Sequence, residues 1–102
     1  MVPAISIVIP AHNEENYIRQ TLHSLKNQSF QDFEVIVVAN GCVDKTEEIV
    51  RKRESEKFKL FSMSQANVSR ARNYGADKSE SEILLFLDAD TTLEQDALHK
   101  IH

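Results

Sequence analysis

Two aspartates separated by a single residue, Asp88 and Asp90, have the clearest chemical potential in the sequence. They follow an apolar run, and side chains two apart on extended backbone point the same way. Carboxylate oxygens are ligands that Mg²⁺ and Mn²⁺ prefer, and a site with few protein ligands keeps open positions for a substrate diphosphate. We therefore predict that this pair holds a divalent cation that neutralises phosphates. The alternative is that an aspartate after a strand forms a turn or caps a helix.

Arg72 is the second candidate, because it lies on a helix stripe that otherwise carries small or apolar residues: Val68, Ala71, Gly75 and Ala76. Its stem is expected to run along the packed face, so that the guanidinium emerges near the helix start. Arg70 lies about 200° round the helix, so both arginines cannot serve one ligand. We choose Arg72 as the contact for a diphosphate or nucleobase, with a surface ion pair as the alternative.

Polar residues also follow the first two predicted strands. Asn13 is expected to cap the first helix, and Glu14 is either a first-turn acid or a ligand-binding residue. Asp44 and Glu47 form a capping-box pattern, which favours a helix cap over a ligand at Asp44. His12 is a further candidate for contact with a substrate.

Composition excludes several classes of protein. Gly41 and Gly75 are isolated, so neither the dinucleotide-binding fingerprint nor the P-loop is present. The single cysteine excludes an internal disulfide framework, and with no long apolar stretch and no N-terminal leader the expected location is the cytoplasm. With 12 Lys+Arg against 16 Asp+Glu, the net charge of -4 argues against a basic nucleic-acid surface.

Four apolar runs alternate with four helical patterns, and the 102 residues are expected to form one domain. The predicted strands cover residues 4–9, 34–39, 58–61 and 83–87. This alternation predicts an α/β fold, a three-layer sandwich in which helices cover both faces of a mainly parallel sheet. Ligands of such sheets lie beyond the carboxyl ends of the strands. The polar segments 10–14, 40–44 and 88–90 are therefore expected to converge on one rim.

The remaining helix limits follow from capping patterns. The second helix is expected to run from Asp44 to roughly Glu56, and the last helix from a capping box of Thr92 and Gln95 to the terminus. Because that predicted box already caps the last helix, Asp88 and Asp90 are not needed as helix caps.

Four segments taken together resemble the family-2 glycosyltransferases of GT-A fold. They are SIVIPAHNEE (6–15), VVANGCVDKT (37–46), ARNYGA (71–76) and FLDADT (86–91). Their order and spacing match those of the family, and they cover nearly the whole chain. The resemblance implies a Rossmann-like N-terminal half that binds the nucleotide sugar, with strand order third, second, first, fourth.

The resemblance also implies transfer of a sugar from a nucleoside-diphosphate donor with inversion at the anomeric carbon. Asp88 and Asp90 match the DxD motif associated with Mg²⁺ or Mn²⁺, with Asp90 as the preferred direct ligand. Pro10, Ala11 and Glu14 are expected to line the nucleotide pocket, and Arg72 to hold the nucleotide. Asp88 is counted with the substrate-binding residues as well.

The sequence departs from the family pattern in two places. Where many members carry two acids after the second strand, the first recognising uracil, this sequence has Ala39-Asn40. Asn40 is therefore taken as the substrate-binding residue there, and UDP is not assumed. The sequence also ends twelve residues after Asp90, before the family's acceptor half and catalytic base, so we expect a truncated enzyme that binds donor without turnover.

Two further expectations concern partners. The run Ile83 to Leu87 becomes an edge strand in such a chain, which suggests a homodimer through that edge. The alternative to an enzyme is a non-catalytic nucleotide-binding or interaction module of the same fold. Neither a nucleic acid nor a membrane is indicated as a partner.

Overall fold

A computed structural model describes residues 2–102 as four strands alternating with four helices. The strands are β1 (Ile5–Ala11), β2 (Phe33–Asn40), β3 (Phe58–Met63) and β4 (Ile83–Phe86). The helices are α1 (Ile18–Lys26), α2 (Thr46–Arg51), α3 (Val68–Lys78) and α4 (Ala97–Ile101). Each predicted strand is present, and three of the four extend one or two residues further at an end than predicted.

The four strands form one parallel sheet in the order β3-β2-β1-β4. This confirms the predicted α/β architecture and strand order. In the register, Ile7 pairs with Val35 on one side and with Leu85 on the other. All four carboxyl ends therefore lie at the same edge of the sheet, where the predicted rim was expected.

Helices cover the two faces of the sheet unequally. The larger core packs β1 and β2 against α1, α2 and α4, and it includes Ile7, Leu25 and Leu98, all fully buried. Burial of each such side chain contributes about 1.5–3 kcal/mol. The smaller core lies under α3, where Val8 and Ala71 are in contact. α3 approaches β1 closely because Gly75 lacks a side chain: a Cβ there would lie 2.3 Å from Cγ1 of Val8.

The first helix begins later than predicted, and Asn13 does not cap it. α1 starts at Ile18, and its N-cap residue, Tyr17, makes no side-chain capping bond. Asn13 instead has a φ of 52°, and its Oδ1 accepts a hydrogen bond from the amide of Val43 at 2.9 Å. An asparagine tolerates this left-handed conformation well, so Asn13 joins the β1 and β2 loops.

The capping box predicted at Asp44 is also wrong. α2 starts at Thr46 and ends at Arg51 rather than near Glu56. The Oδ1 atom of Asp44 accepts hydrogen bonds from the amide and hydroxyl of Thr46. Glu47 does not reach back to the helix start, because its carboxylate accepts hydrogen bonds from Arg51 and from Ser62.

The last helix starts at Ala97 with Asp96 as its N-cap residue, so the capping box of Thr92 and Gln95 is not formed. Residues 91–96 are held as a loop by Ser24 in α1 and by Gln28, which follows that helix. Gln28 donates to the carbonyl of Glu94 at 2.6 Å, and Ser24 accepts from the amide of Leu93 at 3.1 Å. These bonds fix the backbone of Leu93 and Glu94 from outside the helix, which is why local sequence misplaced the helix start.

Candidate functional site

A cavity of about 460 Å³ opens at the carboxyl edge of the sheet. Its lining comes from the ends of all four strands or the loops that follow them: Pro10, His12, Glu14, Asn40, Ala66, Asn67, Val68, Asp88, Ala89 and Asp90. Three predicted loops therefore meet as expected, and the segment before α3 completes the wall. Of the eight residues proposed from sequence to contact a ligand or a metal, six lie in this lining, and Ala11 and Arg72 do not.

Asp88 and Asp90 both line the cavity with exposed side chains, but their backbone is not extended as predicted. The chain turns there, with the amide of Thr91 donating to the carbonyl of Asp88 at 3.0 Å. Ala89 is buried between them, and its carbonyl accepts a hydrogen bond from the fully buried Thr21 at 2.7 Å. α1 thus fixes the turn that presents both carboxylates.

Glu14 is partly buried beside these aspartates, and its pKa is raised. Burial is the largest cause, followed by the negative charges of Asp90 and Asp44; His12 acts in the opposite direction, and Asp88 adds to the rise. Asp90, Asp44 and Asp88 therefore add negative charge around Glu14 at this rim. A cation bound at this rim would reduce the repulsion among these carboxylates.

Within residues 2–102, no group of three or more His, Cys, Asp or Glu side chains is arranged to hold a metal ion. Asp88 and Asp90 therefore offer a partial set of ligands. Mg²⁺ is commonly bound in this way, by one or two carboxylates together with substrate phosphates and water. The donor set fits a cation that is shared with a phosphate ligand.

Asn40 is buried at the end of β2, and its side chain positions the start of α3. Its Oδ1 accepts a hydrogen bond from the amide of Asn67 at 2.7 Å, and Asn67 in turn caps α3 through the amide of Arg70. The next residue, Gly41, has a φ of 62°, and a Cβ there would lie 2.5 Å from the amide nitrogen of Ala66. Only glycine fits this close approach.

His12 also lines the cavity, next to the end of β2. Its Nδ1 is 2.7 Å from the carbonyl oxygen of Asn40. A carbonyl only accepts, so Nδ1 carries the proton, and in the neutral ring Nε2 is left as an acceptor. Nε2 lies 3.4 Å from Nδ2 of Asn13. The tautomer of His12 is therefore set by the end of β2.

Ala11 and Arg72 do not line the cavity. Ala11 is fully buried, and its carbonyl accepts a hydrogen bond from the thiol of Cys42 at 3.0 Å. Arg72 is exposed on α3, one turn beyond the lining residue Val68. Residues four apart share a helix face, so Arg72 and Val68 lie on the same face of α3, and a contact from Arg72 to a ligand stays a prediction. Val68 itself is 49% exposed, so the packed α3 stripe is narrower than predicted.

Asp44 does not line the cavity; it binds the loops that surround it. Burial opposes its ionisation, but the hydrogen bonds from Thr46 and from the amide of Glu15 outweigh burial and lower the pKa of Asp44. Thr46 also accepts a hydrogen bond from the amide of Glu14 at 2.7 Å. The β1 and β2 loops are thereby joined through one buried hydroxyl, a role that no sequence pattern indicated.

The sequence also matches a known protein family. Residues 6–101 match the family model described as glycosyl transferase family 2. The chain belongs to this family. Among the curated proteins similar to this family 2 chain is an uncharacterized glycosyltransferase of Haemophilus influenzae, 35% identical over 97% of the chain and 41% of the relative.

Two further relatives have more specific names. Glycosyltransferase GlyA of Streptococcus pneumoniae is 30% identical over 96% of this chain and 14% of its own length. The poly(ribitol-phosphate) beta-N-acetylglucosaminyltransferase TarS of Staphylococcus aureus is 32% identical over 91% of this chain and 17% of its own length. The family 2 chain therefore spans less than half the length of these relatives.

Solved structures confirm the fold. Crystal structures of S. aureus TarS 1–349 in complex with UDP and with UDP-GlcNAc have TM-scores of 0.88 and 0.87, at 31% identity, over 96% of this chain and 30% of theirs. A mannosyltransferase from Pyrobaculum calidifontis gives a TM-score of 0.75 at 23% identity, over 90% of this chain and 29% of its own, and shows the fold alone. The predicted GT-A architecture is confirmed.

No helix in residues 2–102 has the length and apolar character needed to cross a membrane.

Proposed function

We propose that this family 2 chain binds the nucleoside-diphosphate part of a sugar donor in the cavity at the strand ends, for transfer of the sugar with inversion. The observation that carries the proposal is the convergence of Asp88, Asp90 and Asn40 on one cavity of about 460 Å³. The solved relative at 31% identity holds UDP and UDP-GlcNAc, which supports a nucleotide sugar as the ligand class.

Asp88 and Asp90 are the residues that would hold Mg²⁺ or Mn²⁺, with Asp90 as the preferred direct ligand. When bound, the cation supplies charge neutralisation for the diphosphate and for the departing nucleoside diphosphate. The buried Thr21 keeps the turn between the two aspartates in place. This rigid support is what a site with only two protein ligands requires.

The nucleoside is proposed to lie against the other wall of the cavity. Because Oδ1 of Asn40 accepts from a backbone amide, its Nδ2 is the atom that faces a base as a donor. A carboxylate at this position would accept a hydrogen bond from the base, whereas Nδ2 of Asn40 donates one, so the direction of the hydrogen bond is reversed. Pro10 and Glu14 line the pocket beside it, and Arg72 is proposed to reach the diphosphate from α3.

The three carboxylates in the cavity lining are all assigned to the donor: Glu14, Asp88 and Asp90. An inverting transfer also needs a general base that deprotonates the acceptor. We therefore expect these 102 residues to bind donor without transferring sugar by themselves. Sugar transfer by the isolated chain, measured by release of the nucleoside diphosphate, would contradict this part of the proposal.

Calorimetric titration with UDP, GDP and their sugars, each with and without Mn²⁺, tests donor binding. We expect Mn²⁺-dependent binding that Asp90→Ala weakens at least tenfold, because a direct metal ligand is lost. Asp96→Ala is the matched control, since Asp96 is exposed and pairs only with Lys100 on α4. Absence of nucleotide binding in the unmodified chain would favour a non-catalytic module.

We also propose that two copies associate through β4. Its outer edge is unpaired in the described chain, and Ile83, Leu84 and Phe86 are 38%, 39% and 46% exposed. Light scattering at high concentration should give twice 11.6 kDa. Leu84→Lys should return the monomer, because a charged side chain blocks edge pairing, whereas Ile101→Lys should not. A monomeric mass for the unmodified chain would rule the dimer out.

A further inference from the structure

A basic groove lies along α1 on the flank of the molecule, apart from the cavity at the strand ends. Its volume is about 1090 Å³, and five cations line it: Arg19, Lys26, Lys52, Arg53 and Lys57. Glu54 is the one carboxylate in this lining. The whole chain has a net charge of -4, so composition alone does not account for this excess of positive charge.

Three of the five cations are available to a ligand. Arg19, Lys26 and Lys52 are exposed, and none of them takes part in an ion pair within residues 2–102. Arg53 and Lys57 are half-buried and donate to backbone carbonyls at 2.8 and 2.6 Å. Those two bonds neutralise no charge, so the fixed cations still contribute to the potential in the groove.

The groove is elongated. Arg19 and Lys26 lie seven residues apart on one face of α1, which places them about 10 Å apart along the helix axis. Thr92 lines the groove, and it follows the cavity-lining residue Asp90 by two positions. Phe58 also lines the groove, and it lies at the start of β3, away from the strand ends that form the cavity. The groove therefore runs from beside the cavity toward the other edge of the sheet.

We propose that the basic groove binds a linear phosphate polymer. Cations spaced along a concave surface match repeated negative charges better than a single phosphate group. The exposed large apolar residues, such as Val43 and Phe86, lie outside the groove, so it lacks an apolar side chain for insertion into a bilayer. Its only Phe, Tyr or Trp ring, that of Phe58, is half-buried, which disfavours base stacking with a nucleic acid.

Titration of the whole chain with inorganic polyphosphate, followed calorimetrically, tests this second binding surface. The buffer contains EDTA, because without a cation the carboxylates at the cavity repel phosphate and the donor site does not contribute. We expect binding that weakens between about 50 and 200 mM salt. Binding of polyphosphate that is unchanged by added UDP separates this inference from the proposed donor site.

Two double variants with the same change in charge locate the contact. Lys26→Gln with Lys52→Gln should weaken polyphosphate binding about tenfold and lower the salt dependence, because each lost phosphate contact reduces its slope. Lys78→Gln with Lys100→Gln, outside the groove, should change affinity less than about twofold.

Three results would overturn the inference. Equal weakening by both double variants means diffuse attraction rather than a groove. No binding of polyphosphate at low salt removes the ligand class altogether. Tighter binding to phosphatidylglycerol vesicles or to single-stranded DNA than to polyphosphate assigns the groove to a membrane or a nucleic acid instead.

Discussion

At the residue scale, a buried hydroxyl decides where the two aspartates of the candidate site lie. Thr21 sits on α1, and its Oγ1 donates to the carbonyl of Ala89 at 2.7 Å. Ala89 separates Asp88 from Asp90, so the position of both carboxylates depends on a residue 68 positions earlier in the chain. No motif in the sequence singles out Thr21, because a threonine on the apolar face of a helix is also a common packing residue.

Replacing Thr21 tests this dependence. Thr21→Val keeps the shape but leaves the buried carbonyl of Ala89 unpaired, so we expect a loss of about 1–3 kcal/mol in the free energy of unfolding. Mn²⁺-dependent nucleotide binding should weaken as well. Denaturant titration and calorimetry measure the two effects, with the exposed Thr92→Val as control. An unchanged unfolding midpoint and affinity would show that the turn is held by other contacts.

The residue scale also shows what sequence reasoning could find in the site. Asp88, Asp90, Glu14 and Asn40 were found because polar residues directly after apolar runs must lie at the strand ends. Asn67 and Val68 were missed because they are the cap and the first residue of α3 and resemble an ordinary helix start. The bond from the amide of Asn67 to Asn40 links them to the end of β2.

At the element scale, the strands were predictable and the helix starts were not. Continuous apolar runs such as that in β2, whose residues are all buried, leave few alternatives to a central strand. Helix starts depend on bonds from outside the helix. The α4 start was misplaced because Ser24 of α1 and Gln28, which follows α1, hold the backbone before it. Capping patterns contain no information about such contacts.

The contact between α3 and β1 makes a prediction at this scale. Gly75→Ala places a Cβ 2.3 Å from Cγ1 of Val8, so we expect a net destabilisation of about 1–3 kcal/mol despite the better helix propensity of alanine. Asn73→Ala on the exposed face of α3 is the control. In the double variant with Val8→Ala, part of the loss should be recovered. Additive losses in that cycle would mean that the clash relaxes elsewhere.

At the scale of the whole molecule, a buried polar network joins the sheet at the edge opposite the cavity. Glu34, on β2, accepts hydrogen bonds from Ser6 on β1 at 2.5 Å and from Lys59 on β3 at 3.0 Å. It also accepts from the amide of Glu80, before β4, at 2.8 Å. One carboxylate therefore ties together the segments of all four strands.

This network makes stability depend on pH. Burial raises the pKa of Glu34, but the hydrogen bonds from Ser6, the Glu80 amide and Lys59 outweigh burial and lower it below its ordinary value of 4.5. A carboxyl group whose pKa is lowered on folding contributes stability above the unfolded-state pKa, and this contribution is lost as pH falls through the folded-state pKa. The chain should therefore lose stability as pH falls below 4.5.

Glu34→Gln isolates this contribution. The variant should be about 1–3 kcal/mol less stable at neutral pH, because the charge-assisted hydrogen bonds are weakened. Its stability should also fall less steeply below pH 4.5 than that of the unmodified chain. Urea denaturation at several pH values measures both effects, with the exposed Glu82→Gln as control. Parallel pH profiles for the two variants would exclude Glu34 as the titrating group.

The basic groove along α1 and the carboxylates at the strand ends also divide the surface charge unevenly, so the molecule is an electric dipole as well as a net anion. Its dimensions are 34 × 26 × 21 Å, and at about 0.01 M ionic strength the screening length is roughly 30 Å. The field of one flank then extends beyond the protein by a distance similar to its own width. We expect an approaching anion to be steered toward that flank at low salt, where net charge alone would have predicted only repulsion.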